Sequence, residues 1–303
     1  MIGKTVLITG ANSGIGFETA RQLARLGAEV LMVSRDPGRG LAARNEIVRE
    51  AAGPLPALFI ADLASQASIR ALAEEVQAWF PRIDVLINNA GAIFARRELS
   101  VDGIEMTFAV NHLAPFLLTH LLFGPVQASP HGRVITVASE IHSGTLDFDN
   151  LQGERHYNFL KAYNTSKLEN ILFSYELSRR VETTGVTVNS LSPGPTATHF
   201  GDNLTGLPSL FPQVMKRIPF LFVDPKKGAA TSVYLAASDE VAGLTGRFFF
   251  KRRETRTKPI SYNLDVARRL WDLSEMLVKN TIDDRGVMSE LMSLEKTMEQ
   301  PLP

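Results

Sequence analysis

The feature that most constrains this fold is a regular alternation of short apolar runs with longer segments of helical periodicity. Most of the runs are apolar at consecutive positions, which is typical of strands in a parallel sheet whose two faces are both covered by helices. The pattern predicts a single α/β domain with a doubly wound, mostly parallel, seven-stranded sheet and helices on both faces. The predicted strands are 6–9, 30–33, 58–60, 85–87, 134–137, 186–189 and 248–250.

The segments between these runs carry apolar residues at helical spacing. Gly27 is a left-handed cap for the first helix, Pro115 is a candidate bend, and Asp224-Pro225 is a helix start signal. We expect one domain over residues 1–283 and a loose polar tail over 284–303. The predicted helices are 14–26, 67–80, 103–123, 162–181, 226–237 and 263–279.

Composition excludes several classes of function. The 303 residues include 32 Lys+Arg and 32 Asp+Glu, and a neutral chain lacks the basic surface that nucleic acid binding needs. The absence of Cys excludes disulfides and thiolate sites and fits a cytoplasmic location. The scattered His residues predict no catalytic metal. Since Met1–Lys4 leads directly into a strand and no apolar run is long enough to span a bilayer, we expect neither a signal peptide nor a membrane anchor.

A glycine-rich turn, Thr9-Gly10-Ala11-Asn12-Ser13-Gly14-Ile15-Gly16, follows the first predicted strand. Its glycines permit a tight turn and let backbone N–H groups approach a pyrophosphate, which the following helix N-terminus also attracts. Its position directly after the strand favours a dinucleotide site over an ordinary strand–helix loop. The predicted cofactor contacts in the turn are Gly10, Asn12, Ser13, Gly14, Ile15 and Gly16.

The end of the second strand predicts which dinucleotide binds. An NAD site places a carboxylate there for the ribose 2′-hydroxyl, whereas this chain has Ser34-Arg35, with Asp36 predicted to point away. The Arg35 guanidinium can bind a 2′-phosphate, which favours NADP(H) unless Arg35 is only a surface charge. Further cofactor contacts are predicted after the third and fourth strands, at Asp62, Leu63, Asn89, Ala90 and Gly91.

Tyr163 and Lys167 form the predicted catalytic pair. Four residues apart on a helix, the phenol and the ammonium lie on one face, and the cation is expected to lower the Tyr163 pKa so that it exchanges protons near neutral pH. Tyr157 and Lys161 share this spacing, but Asn158 and Phe159 indicate a loop there, so we favour Tyr163.

Two further polar residues are candidates for the same site. Ser139 ends the fifth strand and can bind a substrate oxygen, or it is simply a satisfied strand-end serine. Asn111 lies inside the predicted helix 103–123, where asparagine is unfavourable. It either holds a water that relays protons to Lys167 or has a capping role.

Together, in this order along the chain, these motifs resemble the short-chain dehydrogenase/reductase family over roughly residues 3–280. The resemblance implies a Rossmann fold, a nicotinamide cofactor and a catalytic tetrad of Asn111, Ser139, Tyr163 and Lys167. It also implies that Tyr163 and Lys167 contact the cofactor, with Lys167 on the nicotinamide ribose. The implied lining of the nicotinamide is Pro193, Gly194 and Thr196.

Finer features resemble the retinol-dehydrogenase-like branch, which includes the oxidoreductase part of the WW-domain oxidoreductase. They are Ser34-Arg35-Asp36, Val110-Asn111-His112-Leu113, Asn150-Leu151-Gln152-Gly153-Glu154 and Leu270-Trp271-Asp272-Leu273-Ser274-Glu275, together with the long interval from Ser139 to Tyr163. Many members of that branch interconvert lipophilic carbonyls and alcohols with NADP(H). Membrane-bound members carry an N-terminal anchor, which we do not expect here.

The segment at about 196–223 is strongly apolar. It fits a lid over a hydrophobic substrate, packing on the core, or a peripheral contact with a membrane. We therefore predict an NADP(H)-dependent oxidoreductase that acts on a small lipophilic aldehyde, ketone or alcohol, with Tyr163 as proton donor and acceptor. The alternative is an NADP(H)-binding sensor or scaffold without turnover. Monomer and homodimer, the latter through helices 103–123 and 162–181, both stay open.

Overall fold

The computed structural model describes residues 1–194 and 224–279. The predicted lid at 196–223, the predicted contact Thr196 and the tail 284–303 lie outside these residues. The strands are β1 (Thr5–Thr9), β2 (Glu29–Ser34), β3 (Ala57–Ile60), β4 (Val85–Asn88), β5 (Arg133–Val137), β6 (Thr187–Ser192), β7 (Arg247–Phe250) and β8 (Arg253–Glu254). The α-helices are α1 (Gly14–Arg25), α2 (Pro37–Val48), α3 (Gln66–Trp79), α4 (Met106–Phe108), α5 (Ala114–Leu121), α6 (Phe123–Gln127), α7 (Phe159–Arg180), α8 (Pro225–Ala237) and α9 (Leu264–Lys279).

The strands form one sheet in the order β3-β2-β1-β4-β5-β6-β7-β8. The pairs from β3 to β7 are parallel, and β8 pairs antiparallel with β7. The predicted fold class is confirmed, with β8 as an eighth strand beyond the seven expected. Because the chain builds outward from β1 to β3 and then returns to β4, the strand order reverses between β1 and β4. Open α/β sheets bind ligands at the carboxyl ends of the strands at such a point.

Both faces of the sheet are buried, as the unbroken apolar runs predict. Along β1, Leu7 belongs to one apolar cluster, whereas Val6 and Ile8 belong to the cluster on the opposite face. Along β2, Leu31 and Val30 divide in the same way. Since neither face is available to a ligand, polar chemistry is restricted to the edge where the strands end. None of the described helices has both the length and the apolar character needed to cross a membrane.

The prediction of one helix over 103–123 is wrong in detail. Helix α4 begins at Met106, and a π-helix over Ala109–Leu113 separates it from α5. Pro115 lies in the first turn of α5, downstream of the break. It has no N–H to donate to the carbonyl of Asn111, its i−4 neighbour, so the regular α-helical bond cannot form there.

Helix α2 was not among the predicted helices. Asp36 caps it by accepting a hydrogen bond from the Arg39 N–H at 2.8 Å, and Pro37 occupies its first turn. This is the same start signal that correctly predicts α8, where the Asp224 carboxylate accepts a bond from the Lys226 N–H at 2.9 Å.

The C-terminal helix α9 packs against α7 and the π-helix. Trp271 inserts between Phe116 and Phe173, with ring centroids 5.0 and 6.0 Å away. The Arg180 guanidinium lies 4.3 Å from the centre of the indole, and the indole N–H donates to Glu275 Oε1 at 2.8 Å. The helical face considered above as a dimer surface is therefore occupied, at this position, by the chain's own C-terminal helix.

We expect Trp271→Ala to lower the free energy of unfolding by about 3–5 kcal/mol, because Trp271 is 4% exposed and the substitution leaves a cavity. Urea unfolding followed by circular dichroism measures the change. The other tryptophan, Trp79, is 75% exposed, and Trp79→Ala should stay within about 0.5 kcal/mol of the parent. Equal losses in the two variants would contradict the packing described for α9.

Candidate active site

The glycine-rich turn joins β1 to α1 at the point where the strand order reverses. Gly10 and Gly14 have φ of 66° and 56°, a region that glycine enters without strain. Gly16 packs so closely that a β-carbon would collide with the Gly10 carbonyl oxygen and with Asn89 Nδ2. Asn12, Ser13 and Ile15 complete the turn and the first turn of α1, and the Ser13 side chain makes no capping bond. The N-terminus of a 12-residue helix therefore opens toward the carboxyl edge of the sheet.

Thr9 fixes the loop after β4 against this turn. Its hydroxyl accepts hydrogen bonds from the backbone N–H groups of Asn89 and Ala90, both at 3.0 Å. The Asn89 side chain returns a bond to the Thr9 carbonyl at 2.8 Å. Sequence reasoning placed Asn89 and Ala90 at the site but missed the role of Thr9, whose strand-end hydroxyl is the only signal that the sequence offers for it.

The end of β2 presents Arg35 to solvent, and no ion pair is found for it within residues 1–194 and 224–279. The adjacent carboxylate is engaged, since Asp36 caps α2. The Ser34 hydroxyl donates to the Asp36 carbonyl at 3.0 Å and holds this bend. An exposed guanidinium therefore lies at the carboxyl end of β2, and the neighbouring Asp36 carboxylate is bonded to α2.

Asp62 and Leu63 follow β3 and point in different directions. The Asp62 carboxylate accepts a bond from the Ala64 N–H at 3.0 Å, and its own N–H donates to the Ser68 hydroxyl at 2.9 Å. Asp62 stays exposed, whereas the Leu63 side chain packs against the core.

Helix α7 carries Tyr163 and Lys167, as the sequence predicts. Lys167 is 3% exposed, and its ammonium donates to the Val137 carbonyl at the end of β5 at 3.2 Å. Its Nζ lies 5.4 Å from the centroid of the Tyr163 ring. Ser139 follows two residues after Val137, and its hydroxyl accepts a bond from the Ile141 N–H at 3.0 Å. Helix α7 and the end of β5 thus bring three predicted catalytic residues to one region.

Asn111 joins this group from the π-helix. Its Oδ1 accepts from the Ala92 N–H at 2.7 Å, and its Nδ2 donates to the Ala92 carbonyl at 2.9 Å and to the Ser166 hydroxyl at 3.0 Å. The side chain that we considered as a water holder is therefore engaged with protein groups. Gly91 lies next to both Lys167 and Asn111. A β-carbon at this position would be 3.4 Å from Lys167 Nζ and 3.5 Å from Asn111 Oδ1.

Burial shifts the pKa values of the predicted catalytic pair. Burial lowers the pKa of Lys167 to about 8, because the charged ammonium is removed from water. Burial also raises the pKa of Tyr163 above its ordinary value. The sequence predicts a lowered Tyr163 pKa, and the structure gives the opposite direction, because the phenol is buried away from water.

The competing pair separates in the structure. Helix α7 begins at Phe159, with Asn158 as its cap, so Lys161 lies in the first turn and Tyr157 lies before the helix. The Tyr157 hydroxyl donates to the Phe94 carbonyl at 2.8 Å, and burial raises its pKa to about 12. The Tyr157 hydroxyl therefore holds the loop at Phe94. Because Tyr157 lies before α7, it does not share a helix face with Lys161.

The segment after β6 completes the described part of the site. Pro193 is followed by Gly194, which has φ of 82° and whose N–H donates to the Ser192 hydroxyl at 3.2 Å. Because β6 is the neighbour of β5 in the sheet, these residues lie beside the strand that leads to Ser139.

Comparison with known proteins agrees with this geometry. Residues 4–206 match the short chain dehydrogenase family. Human retinol dehydrogenase 14 is 44% identical over 293 residues, which cover 92% of this chain and 87% of that relative. A crystal structure of an uncharacterised protein from Mycobacterium paratuberculosis is 31% identical, covers 92% of this chain and 94% of its own, and superposes with a TM-score of 0.74. A protein from Beutenbergia cavernae, solved with NADP at low occupancy, is 30% identical with a TM-score of 0.65 and covers 82% of this chain and 95% of its own.

Thr9→Val should lower the free energy of unfolding by about 1–3 kcal/mol, because it leaves two backbone N–H groups without their acceptor. Thr136 on β5 supplies a matched control, since its hydroxyl is buried and has no hydrogen-bond partner among the described residues. Thr136→Val should be neutral or stabilising. Urea unfolding of both variants tests this, and a neutral Thr9→Val would show that the loop after β4 does not depend on Thr9.

Proposed function

Because this chain belongs to the short chain dehydrogenase family, within its retinol-dehydrogenase-like branch, we propose that it transfers hydride between NADP(H) and a lipophilic aldehyde or ketone, or the corresponding alcohol. The observation that carries the proposal is the arrangement of Tyr163, Lys167 and Asn111 at the carboxyl edge of the sheet. The phenol and the ammonium share one helix face, and Gly91 packs within reach of both Lys167 and Asn111. Such an arrangement suits exchange of a proton at a substrate oxygen.

The residues at the strand-order reversal fit a dinucleotide. A β-carbon at Gly16 would close the turn on the Gly10 carbonyl, and the N-terminus of α1 provides a positive electrostatic potential for a pyrophosphate. We propose that the turn Gly10–Gly16 holds the pyrophosphate, that Asp62, Leu63, Asn89, Ala90 and Gly91 line the nucleoside, and that Pro193 and Gly194 line the nicotinamide. When bound, the nicotinamide supplies or accepts the hydride.

We propose NADP(H) as the cofactor on the basis of Arg35. Its exposed guanidinium offers a fork of donors to a 2′-phosphate. The neighbouring Asp36, which would favour a free 2′-hydroxyl, is bonded to the N-terminus of α2. The relative from Beutenbergia cavernae that carries NADP supports the same choice.

The protein groups then divide the proton chemistry between them. A raised pKa keeps the Tyr163 phenol protonated at neutral pH, ready to donate to a carbonyl oxygen as that carbon is reduced. The Ser139 hydroxyl positions the same oxygen. Lys167, held against the Val137 carbonyl, supplies a nearby positive charge when protonated and stabilises the phenolate that remains. A proton from solvent then returns to the phenolate through Lys167, and the Asn111 main-chain carbonyl, to which the Pro115 nitrogen cannot donate, accepts a hydrogen bond from the water that delivers this proton.

We propose a lipophilic substrate of the retinoid type from two lines of support. The relatives that match over nearly the whole chain are named retinol dehydrogenases. Beside Ser139, the Ile141 side chain is 62% exposed and offers an apolar surface at the edge of the site.

Tyr163→Phe tests the proposal directly. We expect it to fold and to bind NADPH but to reduce a medium-chain or retinoid aldehyde at least about 100-fold more slowly, because the proton donor is lost. Turnover is followed by NADPH absorbance and binding by NADPH fluorescence. The matched variant Tyr157→Phe should keep turnover, since that hydroxyl bonds to the Phe94 carbonyl and the Thr107 hydroxyl and is not the proposed proton donor. An active Tyr163→Phe with an inactive Tyr157→Phe would refute the assignment, and NADPH binding by the parent without turnover of any carbonyl would favour a sensor or scaffold.

Arg35→Ala should raise the KM for NADPH by about 10- to 100-fold and leave the KM for NADH unchanged, because one or two charge-assisted bonds to the 2′-phosphate are lost. Arg49 follows the other end of α2 and is also exposed, so Arg49→Ala makes the same change in net charge away from the site. An equal effect of both variants on NADPH would reduce the role of Arg35 to general charge.

A further inference from the structure

Ser166 occupies the point at which α7 meets the π-helix. It is 1% exposed, and its hydroxyl makes two hydrogen bonds of different kinds. It donates to the Tyr163 carbonyl one turn earlier at 2.8 Å, and it accepts from Asn111 Nδ2 at 3.0 Å. One hydroxyl thus links two residues of the proposed catalytic group, although it has no part in the proton transfer itself.

The bond from Asn111 to Ser166 is the only tie from this amide to α7 within the described residues. The remaining bonds of the amide go to Ala92, in the loop after β4, at 2.7 and 2.9 Å. Ala92 fixes Asn111 relative to the sheet, and Ser166 fixes it relative to the helix that carries Tyr163 and Lys167. Without Ser166, one buried amide N–H loses its acceptor, and the π-helix loses this link to α7.

Two other serines on α7 show what an ordinary helical serine does here. The Ser178 hydroxyl donates to the Tyr175 carbonyl at 2.7 Å, and the Ser174 hydroxyl donates to the Asn170 carbonyl at 2.8 Å. Both are buried, and both satisfy a carbonyl of their own helix. Ser166 differs from them by accepting a second bond from a residue 55 positions away.

We propose that Ser166 is a positioning residue that sets Asn111 and the first turns of α7 in register for proton transfer. The proposal rests on the proposed function for its catalytic consequence. Its structural half, that Ser166 holds the π-helix in place, stands on the hydrogen bonds alone.

Ser166→Ala is the first test, with Ser178→Ala as the matched control. Both remove a buried hydroxyl that bonds to the carbonyl three residues earlier, but only Ser166→Ala removes the bond from Asn111. We expect Ser166→Ala to lower kcat about 5- to 30-fold, with an unchanged Kd for NADPH and a shifted pH profile of kcat. Ser178→Ala should lower the melting temperature to a similar extent and leave kcat and its pH profile unchanged. Equal kcat values in the two variants would overturn the catalytic half of the proposal.

A double-mutant cycle with Asn111→Ala separates positioning from a general loss of packing. If Ser166 acts through Asn111, adding Ser166→Ala to Asn111→Ala produces little further loss of kcat. A full multiplicative loss in the double variant would overturn the proposal. Should Ser166→Ala fail to fold, Ser166→Cys keeps a similar volume while weakening both hydrogen bonds. We then expect a kcat below that of the parent protein, and a kcat equal to that of the parent would contradict the proposal.

Hydrogen–deuterium exchange provides a readout that needs no turnover. Ser166→Ala should speed exchange of amides in Ala109–Leu113 relative to both the parent and Ser178→Ala, because the π-helix loses a bond to α7. Unchanged exchange would overturn the structural half. If the parent protein reduces no carbonyl, the proposed function fails and exchange alone decides the role of Ser166. If the parent is active and Ser166→Ala matches it in kcat and exchange, only this inference fails.

Discussion

Burial of both faces of the parallel sheet is the constraint from which the rest of the molecule follows. Residues such as Leu7 and Ile8 are neighbours in β1 yet pack into opposite apolar clusters. Polar groups that serve a ligand can therefore collect only where the strands end. At the reversal of strand order that edge is tied together by the Thr9 hydroxyl, which receives two N–H groups from the loop after β4. The glycine turn and the loop at Asn89 are consequently joined by hydrogen bonds.

The same constraint explains why the buried polar residues of the proposed catalytic group are hydrogen-bonded to the main chain. Lys167 and Asn111 are almost completely buried, and an unsatisfied polar group in such a place is strongly unfavourable. Each is accordingly held by a main-chain carbonyl, Val137 for Lys167 and Ala92 for Asn111. The hydrogen bonds that offset the free-energy cost of burying Lys167 and Asn111 also fix the positions of these two side chains. Stability and positioning at this site therefore depend on the same few bonds, and Ser166 contributes one of them.

The fold and most of the candidate site were predictable because they leave local signals. Apolar runs mark β1 to β7, and the glycine turn and the spacing of Tyr163 and Lys167 fall where the structure has them. Helix α2 was missed because Gly38 and Gly40 suggest a turn, whereas a β-carbon at Gly40 would lie 3.0 Å from Leu58 and Ser34 side-chain atoms. Close packing against β2 and β3, which the sequence does not display, favours glycine there. Strand β8 is too short and too charged to form a pattern.

Two other features depend on tertiary contacts. The π-helix depends on Asn111 reaching Ala92 and Ser166, which are distant in sequence, and on Pro115 denying the Asn111 carbonyl an α-helical donor. The pKa of Tyr163 is raised because the phenol is buried. A sequence shows that a cation is present at the right spacing, but it does not show how much water the phenol loses.

The residue next to Asn111 extends this dependence to the C-terminal helix. Burial lowers the pKa of His112 to about 3, against a smaller opposing effect of Asn170, so the imidazole is neutral. The Ser274 hydroxyl donates its single hydrogen to the Leu270 carbonyl, so its 2.8 Å contact with His112 must be a bond donated by the imidazole Nε2–H. The π-helix is thus held through Asn111 by Ala92 and Ser166, and through His112 by Ser274 of α9. Because Ser274 of α9 accepts the bond from His112, the C-terminal helix supports the position of the π-helix as well as covering α7.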